Sequence, residues 1–292
     1  MSDDHSFVVD APALDEPVLV VMLTGWIDAS GAAAAAMAAL DKECHATSLV
    51  AFDDDVYIDY RARRPILELR DGVNTRLEWS VPELRVGRDG SGRDVLLLSG
   101  PEPDMKWHRF AGTIGDLAVE LGVSKMAALG AYPFATPHTR PPHLSATSPS
   151  ADVLTGLPFR TSSVDVPAGM AAALEHSVHE RGIPAFGIWA QVPHYVASMS
   201  YPAASVALLD GLATATGVAI EASDLRREAV LQRERLDQLI EGNDEHQAMV
   251  TQFERMYDAA EQGQPGEGGL ELRTGDEIAA EVERFLRDQG KS

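Results

Sequence analysis

The chain predicts an α/β protein, a three-layer mixed sheet between helices, with a C-terminal helical hairpin as an appendage. Three observations predict it. Continuous apolar runs alternate with helix-period stretches from about residue 18 to 217, a block of short alternating segments lies between residues 56 and 86, and two long apolar stripes follow residue 220. Continuous apolar runs suit strands buried on both faces, and helices burying one stripe must cover such a sheet. At 292 residues and 45% hydrophobic composition the chain is long enough to bury a sizeable core.

Residues 1–17 carry Asp3, Asp4, Asp10, Asp15 and Glu16 with little to bury, and read as a loose acidic arm. An α/β core domain is expected over 18–220. Val18–Leu23 is its first buried strand. Thr24-Gly-Trp-Ile-Asp-Ala-Ser-Gly31 then turns into a helix running to Leu40, with Asp28 or Ser30 as its cap. Ser48–Phe52 is a second buried strand, ending in Asp53-Asp-Asp55. Val56–Tyr60, Ile66–Leu69, Val73–Trp79 and Leu84–Val86 are divided by Asp-Gly and Pro-Glu signals and predict antiparallel hairpins, hence a mixed sheet.

Asp94–Ser99 returns to a buried strand. Trp107, Phe110, Ile114, Leu117, Ala118 and Leu121 recur at helical spacing, and Gly122 ends that helix. Lys125–Ala131 is the next strand, followed by a loop, Tyr132–Pro142, with four prolines. Leu144–Thr147 and Ala185–Gln191 read as strands, Pro167–Arg181 and Tyr201–Gly217 as helices.

Past residue 220, Leu225, Ala229, Leu236, Leu239 and Ile240 form one stripe, and Met249, Val250, Phe253, Met256 and Tyr257 another. Glu241-Gly-Asn-Asp244 between them is a stop followed by a new cap, so residues 221–260 predict an antiparallel helical hairpin. Residues 261–292 are expected to hold a flexible linker, Gln262–Gly269, and a terminal amphipathic helix, Asp276–Leu286. Glu221–Ser292 holds 18 acids against 9 bases, nearly half the net charge of −21. The appendage either packs on the core or projects as a docking arm for a basic partner. Periodicity does not separate the two.

With 24 Lys and Arg against 45 Asp and Glu, the chain repels nucleic acid and anionic lipid, so neither is an expected partner. Its one cysteine, Cys44, allows no intramolecular disulfide, which fits a reducing compartment. The first residues lack the basic start of a secretory signal, and no apolar stretch reaches the ~20 residues that span a bilayer, so a cytoplasmic protein is expected.

The usual catalytic spellings are missing. There is no phosphate-binding glycine loop with a Lys-Ser/Thr, no Gly-x-Gly-x-x-Gly after a strand and no Gly-x-Ser-x-Gly elbow. His176 and His179 share a helical face without the glutamate a zinc protease needs, and Cys44–His45 lacks further ligands. Asp53-Asp-Asp55 with Asp59 reads as a solvated strand end or a place for a hard cation. No metal and no cofactor are predicted.

Three polar constellations sit at presumed C-terminal strand ends: Gly100-Pro-Glu-Pro-Asp104 with Trp107, Tyr132-Pro-Phe-Ala-Thr-Pro-His-Thr-Arg-Pro141, and Gln191-Val-Pro-His-Tyr195. With Asp28 and Asp53 they define a candidate cleft of Asp28, Asp53, Glu102, Asp104, His138, Arg140, His194 and Tyr195. Open α/β sheets bind ligands at such strand ends, and these groups can exchange protons. The other reading is that prolines stiffen the loops while the polar groups cap and pair locally.

At these residues the chain resembles the proteasome assembly chaperone family in its actinobacterial form. The resemblance is carried by Leu23-Thr-Gly-Trp-Ile-Asp28, by Phe52–Pro65 with its Tyr-Arg-Ala-Arg-Arg-Pro, and by the three constellations. It implies a nucleoside-phosphorylase-like fold and homo-oligomers, often trimers. It also implies a role in proteasome assembly, although the chain's Arg-Asp-Gln-Gly-Lys-Ser292 departs from the hydrophobic–Tyr–any tail by which some relatives dock. The leading expectation is therefore a homo-oligomeric assembly or binding protein, proteasome-related or otherwise, rather than an enzyme. The alternative is a small-ligand enzyme, of phosphorylase or hydrolase type, acting on a nucleoside or anionic substrate. There Arg140 would hold an anion, His138 or His194 would handle protons, and Glu102 or Asp104 would grip a ribose or amine.

Overall fold

A computed structural model describes residues 13–262. The expected terminal helix, Asp276–Leu286, and most of the acidic arm lie outside the described residues.

Seven strands form one sheet. β1 (Val18–Thr24), β6 (Asp94–Pro101), β7 (Lys125–Phe134) and β9 (Ala185–Pro193) run parallel at its centre. β5 (Glu83–Arg88) and β8 (Leu144–Thr147) flank them antiparallel, and β2 (Thr47–Ala51) pairs outside β5, giving the order β2-β5-β6-β1-β7-β9-β8. β3 (Ile66–Arg70) and β4 (Val73–Glu78) form a separate antiparallel ribbon. The sheet is mixed because helical crossovers make the centre parallel while short turns add antiparallel strands outside it.

α1 (Ala32–Glu43) and α6 (Pro202–Thr216) cover one face, packing Met37, Leu40, Leu208 and Leu212 on Val18, Val20, Ile188 and Ala190. α3 (Trp107–Glu120) and α5 (Met170–His179) cover the other, where Phe110, Ile114 and Leu174 meet Leu19, Val21, Leu96 and Leu98. Alternate residues of β1 thus enter opposite layers, as a strand's two-residue period requires. At one close approach Gly130 of β7 lies opposite Trp189 of β9, and a Cβ at Gly130 would sit 2.3 Å from the indole.

One expected element differs, and one helix is additional. Val56–Tyr60 is not a hairpin strand: the chain makes a short helix, α2 (Asp54–Tyr57), and tucks Tyr57 edge-on against Phe110 with ring centroids 5.2 Å apart. The acids at its first turn suit a helix N-terminus, and one buried aromatic outweighs local β-propensity. A turn of helix, α4 (Ala151–Thr155), was not expected; Ser150 caps it by accepting from the Val153 N–H.

The appendage consists of α7 (Ser223–Glu241) and α8 (Asp244–Glu261). Asn243 begins α8 by accepting from the N–H groups of Glu245 and His246. α7 lays Leu225 and Leu236 against the core layer under α6, so it packs instead of projecting. The short described stretch before β1 is also attached: the Asp15 N–H donates to Asp94 and the Ser124 hydroxyl to the Glu16 carbonyl.

Candidate functional site

Because β6, β1, β7 and β9 are parallel, their C-terminal ends open on one edge of the sheet. The eight candidate residues follow these ends and that of β2, but they do not form one cleft. They fall into two groups, with Asp28 and Asp53 in neither.

Beyond β1, Gly25 has φ +127°, and a Cβ there would lie 2.7 Å from Arg63 and 2.8 Å from Glu102. Glycine is therefore required by both conformation and space. Asp28 accepts from the Ala33 and Ala34 N–H groups at 2.9 and 3.0 Å, capping α1 from outside its first turn. Burial raises its pKa and those backbone donors oppose the rise. Ser30, the other expected cap, sits at φ 61° and donates its N–H to the Ala197 carbonyl, leaving Asp28 to do the capping. Asp53 stands exposed at the start of α2 and makes no capping bond.

The first group lies beyond β6. Glu102 is buried, and its carboxylate accepts from the Met170 N–H at 3.0 Å, so it caps α5. Asp104 accepts from Arg63 Nε at 2.9 Å and from the Asp59 N–H, tying the base of the β3–β4 ribbon to this loop. Trp107 donates its indole N–H to the Pro103 carbonyl at 2.6 Å.

The second group joins the loops after β7 and β9 to the appendage. The Tyr195 hydroxyl accepts from the His138 backbone N–H and lies 2.8 Å from His138 Nδ1. The other ring nitrogen, Nε2, lies 3.1 Å from the Asp237 carboxylate of α7. One hydrogen pattern satisfies all three: the phenol donates to Nδ1 and Nε2–H donates to Asp237. Burial lowers the His138 pKa, with Asp237 opposing, and burial raises the phenol of Tyr195 to about 12. The chain Tyr–His–Asp thus ties the loops after β7 and β9 to α7, with its histidine buried.

Arg140 extends this seam. Its Nε and Nη2 donate to both oxygens of Asp258 at 2.9 Å, and Nη1 reaches Glu254 at 3.3 Å. Pairing with Arg140 holds the Asp258 carboxyl below its usual range. Glu261 takes His143 Nε2 at 2.9 Å and Arg160 as well. Rings complete the contact: His143 stacks on Tyr257 at 3.9 Å, His194 meets Phe253 edge-on at 5.5 Å, and the Tyr257 hydroxyl donates to the Pro141 carbonyl. Since the only side chain of α8 that is fully buried is Val250, polar and ring contacts carry most of this docking. Arg140→Ala is expected to speed amide exchange in α8 at least ~10-fold while leaving the sheet unchanged, and high salt should do the same to the native chain. Hydrogen–deuterium exchange checks it.

Sequence reasoning brought His138, Arg140, His194 and Tyr195 to one place but missed the residues they meet. A signal existed: Glu254, Asp258 and Glu261 at i, i+4, i+7 form a carboxylate stripe beside Phe253 and Tyr257. Among the described residues no cluster of His, Cys, Asp or Glu is arranged to hold a metal ion. Nor is any helix there long and apolar enough to cross a membrane.

The sequence profile of the PAC2 family matches residues 22–240. Among solved structures, a Mycobacterium tuberculosis protein of unknown function, Rv2714, superposes with a TM-score of 0.81 at 31% identity, covering 90% of this chain and 92% of that one. A PAC2 family protein of Streptomyces avermitilis is 34% identical with a TM-score of 0.73, covering 80% and 99%. The proteasome-assembly chaperone homologue Rv2125 of Mycobacterium tuberculosis is 32% identical with a TM-score of 0.74, covering 81% and 99%. No curated protein sequence matches the chain.

Proposed function

The chain belongs to the PAC2 family, and on that premise we propose that it is a cytoplasmic, homo-oligomeric assembly protein with a proteasome-related protein partner. The likeness to a proteasome-assembly chaperone homologue at 32% identity over most of both chains supports this reading. The observation that carries it is the state of the strand-end polar groups. Arg140, the natural anion holder, is clamped by Asp258 and Glu254, and His138 lies between Tyr195 and Asp237. An anionic substrate would have to displace two carboxylates, and a proton relay would have to work through a side chain only 1% exposed. These groups hold the appendage to the core, which serves a rigid binding body better than a reaction centre.

A homo-oligomer, with three copies as the family resemblance implies, would present several such bodies to a multi-subunit partner. Affinity capture with the intact chain, read by quantitative mass spectrometry, should return 20S proteasome subunits in near-stoichiometric amount. A charge-reversed bait, Asp258→Lys with Glu254→Lys, should keep the sheet folded and reduce the yield if the docked hairpin shapes the binding face. Recovery of no proteasome subunit by the intact bait would sink the proposed partner.

A further inference from the structure

The two lateral edges of the seven-stranded sheet are finished differently. At β8 the ladder continues past the strand: the Ala146 N–H donates to the Arg160 carbonyl at 2.8 Å, and the Arg160 N–H to the Leu144 carbonyl at 3.2 Å. At the other end the order stops at β2, and among the described residues no strand lies beyond it. β2 reads Thr47-Ser-Leu-Val-Ala51, with no charge and no proline, and Leu49 and Val50 are buried. An edge strand offers N–H and C=O groups to other strands, and proteins blunt such edges with lysine, proline, a bulge or a cover. A register shift between Ser48 and Val50 is the one local device β2 has.

Where the described chain begins says what covers this edge. Leu14 packs on the apolar layer that holds Leu19 and Leu49, and with His45, Val86 and Arg88 it lines a cleft of about 640 Å³. The Arg88 N–H donates to the Cys44 carbonyl at 3.1 Å, so this cleft lies at the corner where β2 enters the sheet. β2 is antiparallel to β5 and β5 to β6, while β6 is parallel to β1, so β1 and β2 start at the same end of the sheet. Chain running back from Leu14 along β2 is therefore antiparallel to it. Ala11-Pro-Ala13, extended, spans ~10 Å, about two strand spacings, which carries Asp10 from the cleft to the outer side of β2. Ser6-Phe-Val-Val-Asp10 then matches the 5 residues of β2 in length, and its aromatic and β-branched residues suit strand pairing. A second copy is a poorer occupant. Copies with a net charge of −21 repel, whereas a short tether holds the chain's own segment at an effective concentration of about millimolar or more.

We propose that the outer edge of β2 is the docking site of the chain's own residues 6–10, which add to the sheet there as an antiparallel strand. Phe7 and Val9 then fall on one face of the sheet and Val8 on the other. The acidic arm thereby closes the edge to strands of other chains. This docking is independent of the oligomer and of the partner proposed above.

Amide hydrogen exchange of the full chain, read residue by residue at two protein concentrations, is the test. Residues 47–51 should exchange as slowly as those of β5, and equally slowly at both concentrations. Deleting residues 2–10 should speed exchange in β2 at least ~10-fold while β1 and β6 stay unchanged, which also shows that the fold is intact. Phe7→Pro with Val8→Pro keeps the arm's length and charge but removes two successive N–H groups, one of which must face β2 in either register, and should have the same effect. Phe7→Leu with Val8→Ile keeps both N–H groups and should leave exchange slow. Fast exchange of the outward amides of β2 in the full chain overturns the proposal. So does slow exchange that survives both the deletion and the double proline variant. Protection that rises with protein concentration gives the edge to a second copy and overturns it too.

Discussion

Glu175→Gln is expected to remove a loss of stability that the native chain suffers as pH rises from about 4.5 to about 8. Glu175 lies on α5, 4% exposed, and faces the sheet where β8 and β9 pair. Its two oxygens each lie 3.3 Å from the Thr147 hydroxyl, which in turn accepts from the Trp189 indole N–H at 3.2 Å. Gly187 leaves the room: a Cβ there would stand 2.7 Å from Glu175 Oε1. Among the described residues no arginine or lysine pairs with this carboxyl, and burial pushes its pKa from 4.5 up to about 8.

The folded chain thus keeps a proton that the unfolded chain has lost. The contribution of Glu175 to stability is full below about pH 4.5, declines while pH rises through the interval, and levels off above about 8. At about 1.4 kcal/mol per pKa unit the whole decline is of the order of 3–5 kcal/mol. Glutamine keeps a neutral acceptor for Thr147 and carries no titration. Urea denaturation at pH 5 and pH 8.5 should show near-equal stabilities at the first and a more stable variant at the second. Parallel curves for the two proteins would rule Glu175 out as the source.

His138→Ala is the second large effect, expected to cost roughly 2–4 kcal/mol. The ring is buried, and its removal leaves a cavity, strips Tyr195 of one hydrogen-bond partner and leaves Asp237 with Arg233 alone, at 4.0 Å. Since Asp237 belongs to α7, amide exchange in α7 and α8 should rise together, whereas that of β1 and β6 should follow only the global stability. His138→Gln separates size from titration. Burial lowers the histidine pKa below 6.5, with Asp237 opposing, so its contribution is present above about pH 6.5 and lost as pH falls, because the unfolded chain then binds the proton more readily. The native chain should accordingly be most stable between an acid limb that His138→Gln flattens and an alkaline limb that Glu175→Gln flattens. An acid limb unchanged in His138→Gln would point to other groups.

The layers were legible because their causes are local. Val18–Leu23 and Val95–Leu98 are apolar without interruption, and only a two-sided burial explains that; both belong to central strands. Gly122 and Gly217 take the positive φ at which the helices were expected to end. Val56–Tyr60 misled because its β-branched and aromatic residues favour strand locally, while the deciding contact, Tyr57 on Phe110, lies fifty residues away. The site divides along the same line. Strand-end position drew His138, Arg140, His194 and Tyr195 together, since a parallel sheet fixes where its strands end. Their partners lie about 50 to 120 residues further along the chain, and an ion pair imposes no periodicity on the residues between. Glu175 escaped notice for a different reason. It looks like any polar residue of an amphipathic helix until Gly187 and Thr147 place its carboxyl inside.

The two-residue joint between α7 and α8 has a consequence for what Arg140 can meet. Asp258 does not arrive by diffusion; Gly242 and Asn243 keep α8 beside the loop that carries Arg140. Short tethers give effective concentrations of about millimolar or more. Free phosphate or a small carboxylate at lower concentration would therefore compete against a neighbour that is always present. A long acidic polymer offering several carboxylates at once would face a smaller disadvantage, which makes valency, more than anion chemistry, the property that decides access to this guanidinium.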